Sequence, residues 1–287
     1  MKKYSDLYRE TRKALLPIDG PHQAGSTARE LLQLASGKSA AELLADGEKY
    51  ADTSVCTALE KYVERMVKGE PLAYILGEWE FYGLKLYVTP DVLIPRDDTV
   101  AVTSLAIQKA LFMQQDPRIL DLCCGSGCIG LAIASRVKDA RVTLADLSKD
   151  ALAVAKKNML RHKFSGRVSC VQADALKPAP AFLGKFDMIV SNPPYITSEE
   201  MKGLEESVVD FEPHMALFGG EDGLDFYRFI AAKWKTALRL GGTLIFEVGI
   251  GQAPAVEEIL ALNGYEDIKT TIDSGEIWRV VEGTINS

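Results

Sequence analysis

The strongest constraint on the fold is the regular alternation of short apolar runs with helical patterns from Arg118 onward. Apolar, β-branched runs predict strands at Arg118–Cys124, Arg141–Leu147, Arg167–Asp174, Phe186–Ser191, Gly242–Val248, Tyr265–Thr271 and Glu276–Glu282. Helices are predicted at Cys128–Arg136, Lys149–His162, Leu224–Leu240 and Pro254–Leu262. Such alternation indicates an α/β fold with a mostly parallel sheet and right-handed crossovers. The last two strands are joined by a segment too short for a crossover, so the last strand must run antiparallel.

The chain before this sheet is organised differently. Residues 1–70 carry helical patterns only, at Tyr4–Leu16 with Pro17 as a stop, Thr27–Leu34 with Ser26 as a cap, Lys38–Leu44 and Asp52–Val67. Residues 79–88 alternate around a glycine, which predicts a β-hairpin, and a helix is predicted from Asp98 to Met113. We therefore expect a helical domain at 1–70, a hairpin linker at 71–98 and an α/β domain at 99–287.

Composition limits the possible environments and partners. The chain of 287 residues has a net charge of -7 and a pI near 5.2, so no overall positive field attracts nucleic acid. No apolar run reaches the roughly 18 residues that a membrane span requires, and the first residues lack the apolar core of a signal peptide. The five cysteines are odd in number and scattered, which argues against a disulfide framework. We predict a cytoplasmic protein with no membrane and no direct nucleic-acid partner.

A glycine-rich loop follows the first strand of the sheet. Gly125, Gly127 and Gly130 satisfy the G-x-G-x-x-G spacing, and Asp146 closes the second strand where a ribose-binding acid is expected. This pattern predicts an adenosine cofactor but does not separate a dinucleotide from other adenosine compounds. The predicted cofactor contacts are Cys123, Cys124, Gly125, Ser126, Gly127, Asp146, Asp174, Ala175 and Asn192.

Asp174 ends the third predicted strand and has two interpretations. Its carboxylate could accept a hydrogen bond from an adenine amino group at the ligand edge of the sheet. It could equally cap the turn formed by Ala175 and Leu176. The sequence leaves both open.

The cysteines near the glycine loop do not predict a metal site. Adjacent thiols in a tight turn, with no second pair of ligands nearby, do not give the tetrahedral geometry that zinc takes. The cysteines concerned are Cys123, Cys124 and Cys128.

The segment Ser191-Asn192-Pro193-Pro194-Tyr195 follows the fourth strand. Neither proline can donate to a strand ladder and each fixes its own φ, so a stiff turn forms at the ligand edge of the sheet. An amide oxygen, backbone carbonyls and an aromatic ring on such a turn suit the binding of a planar NH2 group. We expect Asn192, Pro193 and Tyr195 to be catalytic and the same residues with Pro194 to bind substrate. In this hypothesis the Asn192 side-chain oxygen and the Pro193 carbonyl accept the two N–H bonds of the substrate.

With these motifs the sequence resembles the class I S-adenosylmethionine-dependent methyltransferases, whose Rossmann-like sheet has seven strands with the last antiparallel. The Asn-Pro-Pro-Tyr turn resembles the motif of enzymes that methylate planar amino groups. Further segments resemble the peptide chain release factor glutamine methyltransferases (PrmC/HemK family), at Glu70–Gly77, Val92–Arg96, Glu212–Leu224 and Glu247–Gln252.

The resemblance implies a specific reaction. S-adenosyl-L-methionine would be the methyl donor and S-adenosyl-L-homocysteine the product. The acceptor would be the glutamine amide in the Gly-Gly-Gln loop of class I release factors, held in part by the helical N-terminal domain. Two positions depart from the family pattern. Asp97 stands where the family usually has proline, directly after the Pro95-Arg96 pair, and Cys123-Cys124 stand where small Gly/Thr-type residues are usual in the glycine loop.

Three other functions remain open at this point. An N(6)-adenine nucleic-acid methyltransferase shares the Asn-Pro-Pro-Tyr motif but needs a basic target-recognition segment. A nicotinamide-dependent oxidoreductase is compatible with the glycine loop but leaves the proline turn unexplained. A non-catalytic module that binds the release factor or the ribosome would need no intact pocket.

Overall fold

A computed structural model describes residues 2–113 and 116–286 of the chain. Met1, Gln114, Gln115 and Ser287, which fall within the predicted domains, lie outside these described residues. The described chain divides into two compact units, one up to Glu78 and one from Trp79 onward. This division falls inside the predicted linker 71–98, whose own limits stay a prediction.

The first unit is helical. Its helices are α1 (Tyr4–Ser36), α2 (Ala40–Ala45), α3 (Thr53–Val67) and α4 (Leu72–Leu76). Their apolar faces form one buried core that includes Leu15, Leu31 and Leu59. The unit therefore has a core of its own.

The prediction that Pro17 ends the first helix is wrong. Helix α1 continues past Pro17, and its break lies at Gly20, whose φ of 68° is in the left-handed region. Pro21 follows directly and suits the first turn of the next helical segment, where a missing N–H costs nothing. Ser26 is consequently inside the helix, and its hydroxyl donates to the Gln23 carbonyl at 3.1 Å instead of capping.

The second unit contains the predicted hairpin, the helix after it and the sheet. The hairpin strands are β1 (Glu78–Phe81) and β2 (Leu84–Tyr87). The sheet strands are β3 (Arg118–Leu122), β4 (Arg141–Asp146), β5 (Val168–Gln172), β6 (Phe186–Ser191), β7 (Leu238–Glu247), β8 (Glu266–Ile272) and β9 (Trp278–Thr284). The helices are α5 (Thr99–Phe112), α6 (Cys128–Arg136), α7 (Lys149–Arg161), α8 (Ser198–Met201), α9 (Glu206–Val209), α10 (Asp225–Phe229) and α11 (Ala253–Leu262).

In the described ranges the large sheet has seven strands in the order β5-β4-β3-β6-β7-β9-β8. Strands β3 to β7 pair in parallel, whereas β9 is antiparallel to both of its neighbours. The predicted seven-stranded α/β sheet with an antiparallel last strand is confirmed. From β3 the chain moves outward to β5 and then returns to β6 on the other side of β3. This reversal opens a crevice at the carboxyl ends of β3 and β6, where α/β proteins bind ligands.

Two sequence predictions within this unit are wrong. The single helix Leu224–Leu240 is instead α10, a π-helical turn at Ile230–Trp234 and a 3₁₀ turn at Lys235–Ala237, after which β7 begins. The wider π turn accompanies the full burial of Trp234, whose indole N–H donates to the Ala175 carbonyl at 3.1 Å. Strand β5 ends at Gln172, so Asp174 lies in the following loop.

Buried apolar residues cover both faces of the sheet, in one cluster with α5, α6 and α7 and another with α10 and α11. Among the described helices none has the length and apolarity to cross a bilayer.

Candidate active site

One cavity of about 960 Å³, partly open to solvent, lies at the carboxyl ends of the parallel strands. Its walls come from the loops after β3, β4, β5 and β6, from residues 91–99 and from residues 213–216. Most of the predicted contacts line it, namely Cys123, Cys124, Gly125, Ser126, Asp146, Asp174, Ala175, Asn192 and Pro194. The crevice predicted by topology therefore brings the glycine loop and the proline turn to one space.

Gly127, Pro193 and Tyr195 are not among the residues that line this cavity. Gly127 precedes α6 with a φ of 81°, and a Cβ there would lie 3.0 Å from the Leu144 side chain. Its structural role is close packing between the loop and the sheet. The contacts predicted for these three residues stay predictions.

The glycine loop is anchored by Asp121 at the end of β3. The Gly130 N–H donates to the Asp121 Oδ2 at 2.8 Å, and a Cβ on Gly130 would lie 2.3 Å from the Leu144 Cδ2. Gly130 thus lets α6 pack directly on β4. Asp121 is fully buried and its Oδ1 lacks a hydrogen-bond partner among the described residues. Burial raises the pKa of Asp121 to about 7.

Asp146 lies on the opposite side of the loop. Its carboxylate accepts from the Gly125 N–H and from the Ser148 N–H, each at 2.9 Å. Burial raises the pKa of Asp146, and these N–H donors partly oppose the rise. Next to it, the buried Ser126 hydroxyl has no partner in the described part of the chain, although Ser126 lines the cavity. The loop therefore presents an unused polar group to a ligand.

Asp174 combines the two roles that the sequence left open. Its Oδ1 accepts from the Leu176 N–H at 2.9 Å, so the capping interaction is present. Its Oδ2 lies 3.3 Å from the Lys177 Nζ, while the residue also lines the cavity. The contact with an adenine amino group stays a prediction.

The proline turn is held from several sides. The Asn192 Nδ2 donates to the Thr99 hydroxyl at 3.3 Å, and the Gln252 Nε2 donates to the Tyr195 carbonyl at 2.9 Å. The Ile196 N–H donates to the Leu217 carbonyl at 2.9 Å, which joins the turn to the segment before Gly219. Burial raises the pKa of the Tyr195 hydroxyl to about 12, so this phenol stays neutral.

Glycines pack directly against this turn. A Cβ on Gly219 would lie 2.6 Å from the Tyr195 Cα, and one on Gly223 would lie 2.3 Å from the Tyr195 carbonyl oxygen. A Cβ on Gly249 would come within 2.7 Å of the Gln252 Oε1. Sequence reasoning noted these glycines only as part of a resemblance. Their actual role is to let two further segments approach the turn.

Behind the turn lies a buried charged group that sequence reasoning did not identify. Glu247 is 1% exposed, and its Oε2 has no hydrogen-bond partner within the described residues. Burial raises the pKa of Glu247 to about 7, against hydrogen bonding from Thr99, the positive charge of Arg279 and hydrogen bonding from Asn192. Arg279 also pairs with Asp98 at 3.0 Å. The sequence signals were its place near the end of the predicted strand Gly242–Val248 and in the family-like segment Glu247–Gln252.

A second buried carboxylate joins two walls of the cavity. Glu212 is 5% exposed, accepts from the Ile94 N–H at 3.2 Å and forms an ion pair with Arg96. It therefore ties the residues 91–99 wall to the residues 213–216 wall.

The charges that line the cavity are mostly negative. Among the described lining residues they are Asp91, Asp146, Asp174 and Arg96, and Arg96 is already paired with Glu212. These negative side chains would repel a pyrophosphate group, whereas they would attract a ligand with a positive charge.

The cysteines of the loop behave as packed thiols. Burial raises the pKa of the Cys123 thiol and that of Cys124, and it raises the pKa of Cys128 to about 12. All five cysteines are free in the described chain. Neutral buried thiols of this kind do not act as nucleophiles.

Comparisons with known proteins match both units. A family model described as the PrmC N-terminal domain matches residues 6–77, and one described as a methyltransferase small domain matches residues 97–210. A release factor glutamine methyltransferase of Geobacter sulfurreducens is 40% identical over 95% of this chain and 94% of its own length. One of Clostridium acetobutylicum is 40% identical over 77% of each chain.

A solved methyltransferase from Pyrococcus furiosus has a similar fold. It superposes with a TM-score of 0.51 over 78% of this chain and 98% of that chain, at 16% identity. At this identity the likeness concerns the fold alone.

Proposed function

Because the chain belongs to the release factor glutamine methyltransferase family, we propose that it methylates the side-chain amide nitrogen of the glutamine in the Gly-Gly-Gln loop of class I release factors. The observation that carries this proposal is that Asn192, on its proline-stiffened turn, opens into the same cavity as the glycine loop and Asp146. An acceptor for a planar NH2 group thus lies beside a site suited to an adenosine cofactor.

The donor proposed for this site is S-adenosyl-L-methionine, which supplies a methyl group activated by a sulfonium cation. The residues present fit such a group in two respects. The Ser126 hydroxyl, which has no hydrogen-bond partner among the described residues, offers a polar contact, and the acidic lining favours a positive charge. We assign the cofactor contacts to Gly125, Ser126 and Asp146, with Asp174 and Ala175 at the adenine end.

An amide nitrogen is a weak nucleophile because its lone pair is delocalised into the carbonyl. The Asn192 side-chain oxygen and the Pro193 carbonyl would accept the two N–H bonds of the substrate amide. These acceptors stabilise positive charge as it develops on nitrogen. They also hold the nitrogen in line with the donor, and such alignment can lower a barrier by ~7–11 kcal/mol. Tyr195, neutral because of its raised pKa, would form a wall of the substrate site without acting as a base.

The proton released from nitrogen leaves to water in this mechanism. Tyr195 and the thiols of Cys123 and Cys124 have raised pKa values, so each stays protonated at neutral pH and cannot accept this proton. Orientation of the substrate therefore carries the catalysis.

The experiment that tests the proposal is mass spectrometry of a class I release factor after incubation with the protein and S-adenosyl-L-methionine. The expected product is a release factor with one added methyl group on the glutamine of the Gly-Gly-Gln loop. A parallel incubation with adenine-containing DNA tests the nucleic-acid alternative, which the acidic net charge disfavours. Methylated adenine with an unmodified release factor would overturn the proposal. A cytoplasmic location stays a prediction.

A further inference from the structure

Asn192 can serve as an acceptor only if its side-chain amide faces the substrate with the oxygen. The amide has two ends of nearly equal size, and a rotation by half a turn exchanges a carbonyl acceptor for an NH2 donor. An NH2 group facing the substrate NH2 would place two donors against each other. A reaction that depends on the Asn192 oxygen therefore needs a neighbouring group that holds the amide in one of these two orientations.

The fold places Glu247 beside Asn192, where it can fix the orientation of the Asn192 amide. Strands β6 and β7 are parallel neighbours, and Ser191 pairs with Phe246. The residues that follow, Asn192 and Glu247, therefore lie side by side at the carboxyl edge of the sheet. Thr99 at the start of α5 completes the group, since its hydroxyl accepts from the Asn192 Nδ2 at 3.3 Å, and hydrogen bonding from both Thr99 and Asn192 opposes the rise in the pKa of Glu247.

We propose that the Glu247 carboxylate, acting both directly and through Thr99, holds the Asn192 amide with its NH2 group turned inward and its oxygen turned toward the substrate. Glu247 is a positioning residue in this scheme, and its role rests on the proposed glutamine methylation. A carboxylate accepts hydrogen bonds and donates none. Facing a carboxylate, the Thr99 hydroxyl must donate its proton to Glu247. Its oxygen is then left to accept from Asn192.

Burial of Glu247 strengthens the hydrogen bonds that orient the Asn192 amide, but it also lowers the stability of the fold. Glu247 is 1% exposed and its Oε2 has no partner among the described residues, and such an arrangement destabilises a fold. Hydrogen bonds in such a dry site are stronger than in water. A glutamate at this position is therefore better explained by function than by stability.

Protonation of Glu247 would release the Asn192 amide from this orientation. A protonated Glu247 can donate to Thr99, whose hydroxyl can then donate to the Asn192 oxygen, so the amide is free to turn. Burial raises the pKa of Glu247 to about 7, so Glu247 changes its protonation state near neutral pH. The charged or titratable groups that act on Glu247 or feel its charge are Arg279 on β9, Asp98 before α5, Tyr195 after β6, Tyr227 on α10 and Cys128 on α6.

The test compares Glu247→Gln with Glu282→Gln. Glu282 is a buried glutamate on β9 that pairs with Lys109 at 2.6 Å and lies opposite Ile245, away from Asn192. We expect Glu247→Gln to lower kcat for release factor methylation about tenfold to hundredfold, with KM and the Kd for S-adenosyl-L-methionine nearly unchanged. Glu282→Gln should leave kcat unchanged. The wild-type kcat should also fall as the pH decreases through about 7, and this fall should be absent in Glu247→Gln.

Two further measurements separate positioning from a general loss of structure. In an Asn192→Ala background, Glu247→Gln should cause no further loss of kcat, because the residue through which it acts is gone. Thr99→Val, which keeps the shape but removes the link through Thr99, should also lower kcat and serves as the test if Glu247→Gln does not fold. A kcat for Glu247→Gln within about twofold of wild type, or an equal loss in the Asn192→Ala background, would overturn the proposal.

A readout that needs no methyl acceptor distinguishes this proposal from the proposed function. The side-chain NH2 signals of Asn192 in an NMR spectrum should titrate with pH in the wild type and in Glu282→Gln, but not in Glu247→Gln. If these signals behave so while the release factor stays unmethylated, the positioning network stands and the substrate assignment fails. If the signals do not respond to Glu247, the positioning proposal fails by itself.

Discussion

At the scale of single residues, the proposed mechanism gives Asn192 its role through one side-chain carbonyl oxygen. Its NH2 end is engaged by Thr99, and the residue lines the cavity next to Pro194. The Pro193 carbonyl is the second proposed acceptor, and the other predicted contributors near Asn192 act by position or shape. The consequences of losing this oxygen should therefore be confined to the chemical step.

Replacing Asn192 by alanine tests this division. We expect kcat to fall about 10²–10³-fold, the loss typical of one preorganised hydrogen-bonding group. The Kd for S-adenosyl-L-methionine, measured by calorimetry, should stay within about twofold because the donor contacts lie on other loops. Near-normal turnover would remove Asn192 from the chemistry.

Asp121 illustrates a residue that stabilises the fold in a way that depends on pH. Burial raises its pKa to about 7, above the value of about 3.9 expected in the unfolded chain. The folded state therefore binds a proton more readily than the unfolded state between these values. Its contribution to stability is complete below pH ~4 and is lost as the pH rises through about 7.

The substitution Asp121→Asn should remove this dependence, since the amide stays neutral and its oxygen can still accept from the Gly130 N–H. We expect the variant and the wild type to have similar free energies of unfolding near pH 4. Near pH 8 the variant should be more stable by about 4 kcal/mol. Urea denaturation across this range measures the difference, and parallel curves for the two proteins would contradict the assignment.

At the scale of elements, the glycine-rich segment at residues 217–223 supports the proline turn. The Gly219 N–H donates to the Ile196 carbonyl at 2.9 Å, and the absence of a side chain at Gly219 lets the two backbones touch. The segment resembles an added strand laid against the turn, since Ile196 and Phe218 form a parallel bridge. Its sequence is therefore constrained by sterics and not by contact with a ligand.

Gly219→Ala should displace the turn without touching the donor site. A Cβ at 2.6 Å from the Tyr195 Cα cannot be accommodated by a side-chain rotation, so the backbone must move. Because a shift of about 1 Å can cost roughly 10²-fold in rate, we expect a kcat loss of this size with S-adenosyl-L-methionine affinity retained. Gly203→Ala is a matched control, since its nearest contact would be an ordinary 3.7 Å, and it should have wild-type turnover.

At the scale of the whole molecule, the two units carry separate cores and separate sequence matches. The first unit is built around residues such as Leu15 and Leu31, and the second contains the entire cavity lining. Binding of the donor should thus be a property of the second unit. Recognition of the release factor is the role that the family resemblance implies for the first.

A fragment comprising residues 79–287 tests this separation. We expect it to unfold cooperatively and to bind S-adenosyl-L-methionine with a Kd within about twofold of the full chain. Its KM for the release factor should rise at least about tenfold, which corresponds to ~1.4 kcal/mol of lost binding free energy. An unchanged KM would show that the first unit contributes nothing to substrate binding.

The sequence alone determined the seven-stranded sheet, the antiparallel last strand and the loops that form the cavity. These features follow from local rules, because strand length, helical spacing and proline or glycine turns are properties of adjacent residues. The same rules misjudged α1 and the helix before β7, where Gly20 and a π-helical turn change the course of the chain.

Only the tertiary structure decided which groups surround the Asn192 amide. Thr99 reaches Asn192 across 93 positions of the chain, and Glu212 reaches Ile94 across 118. Sequence periodicity and turn motifs do not predict such contacts. They form only when folding brings distant strands and loops to one edge of the sheet. The burial that raises the pKa values of Asp121 and Glu247 has the same origin, because the loss of water around a side chain depends on everything packed upon it.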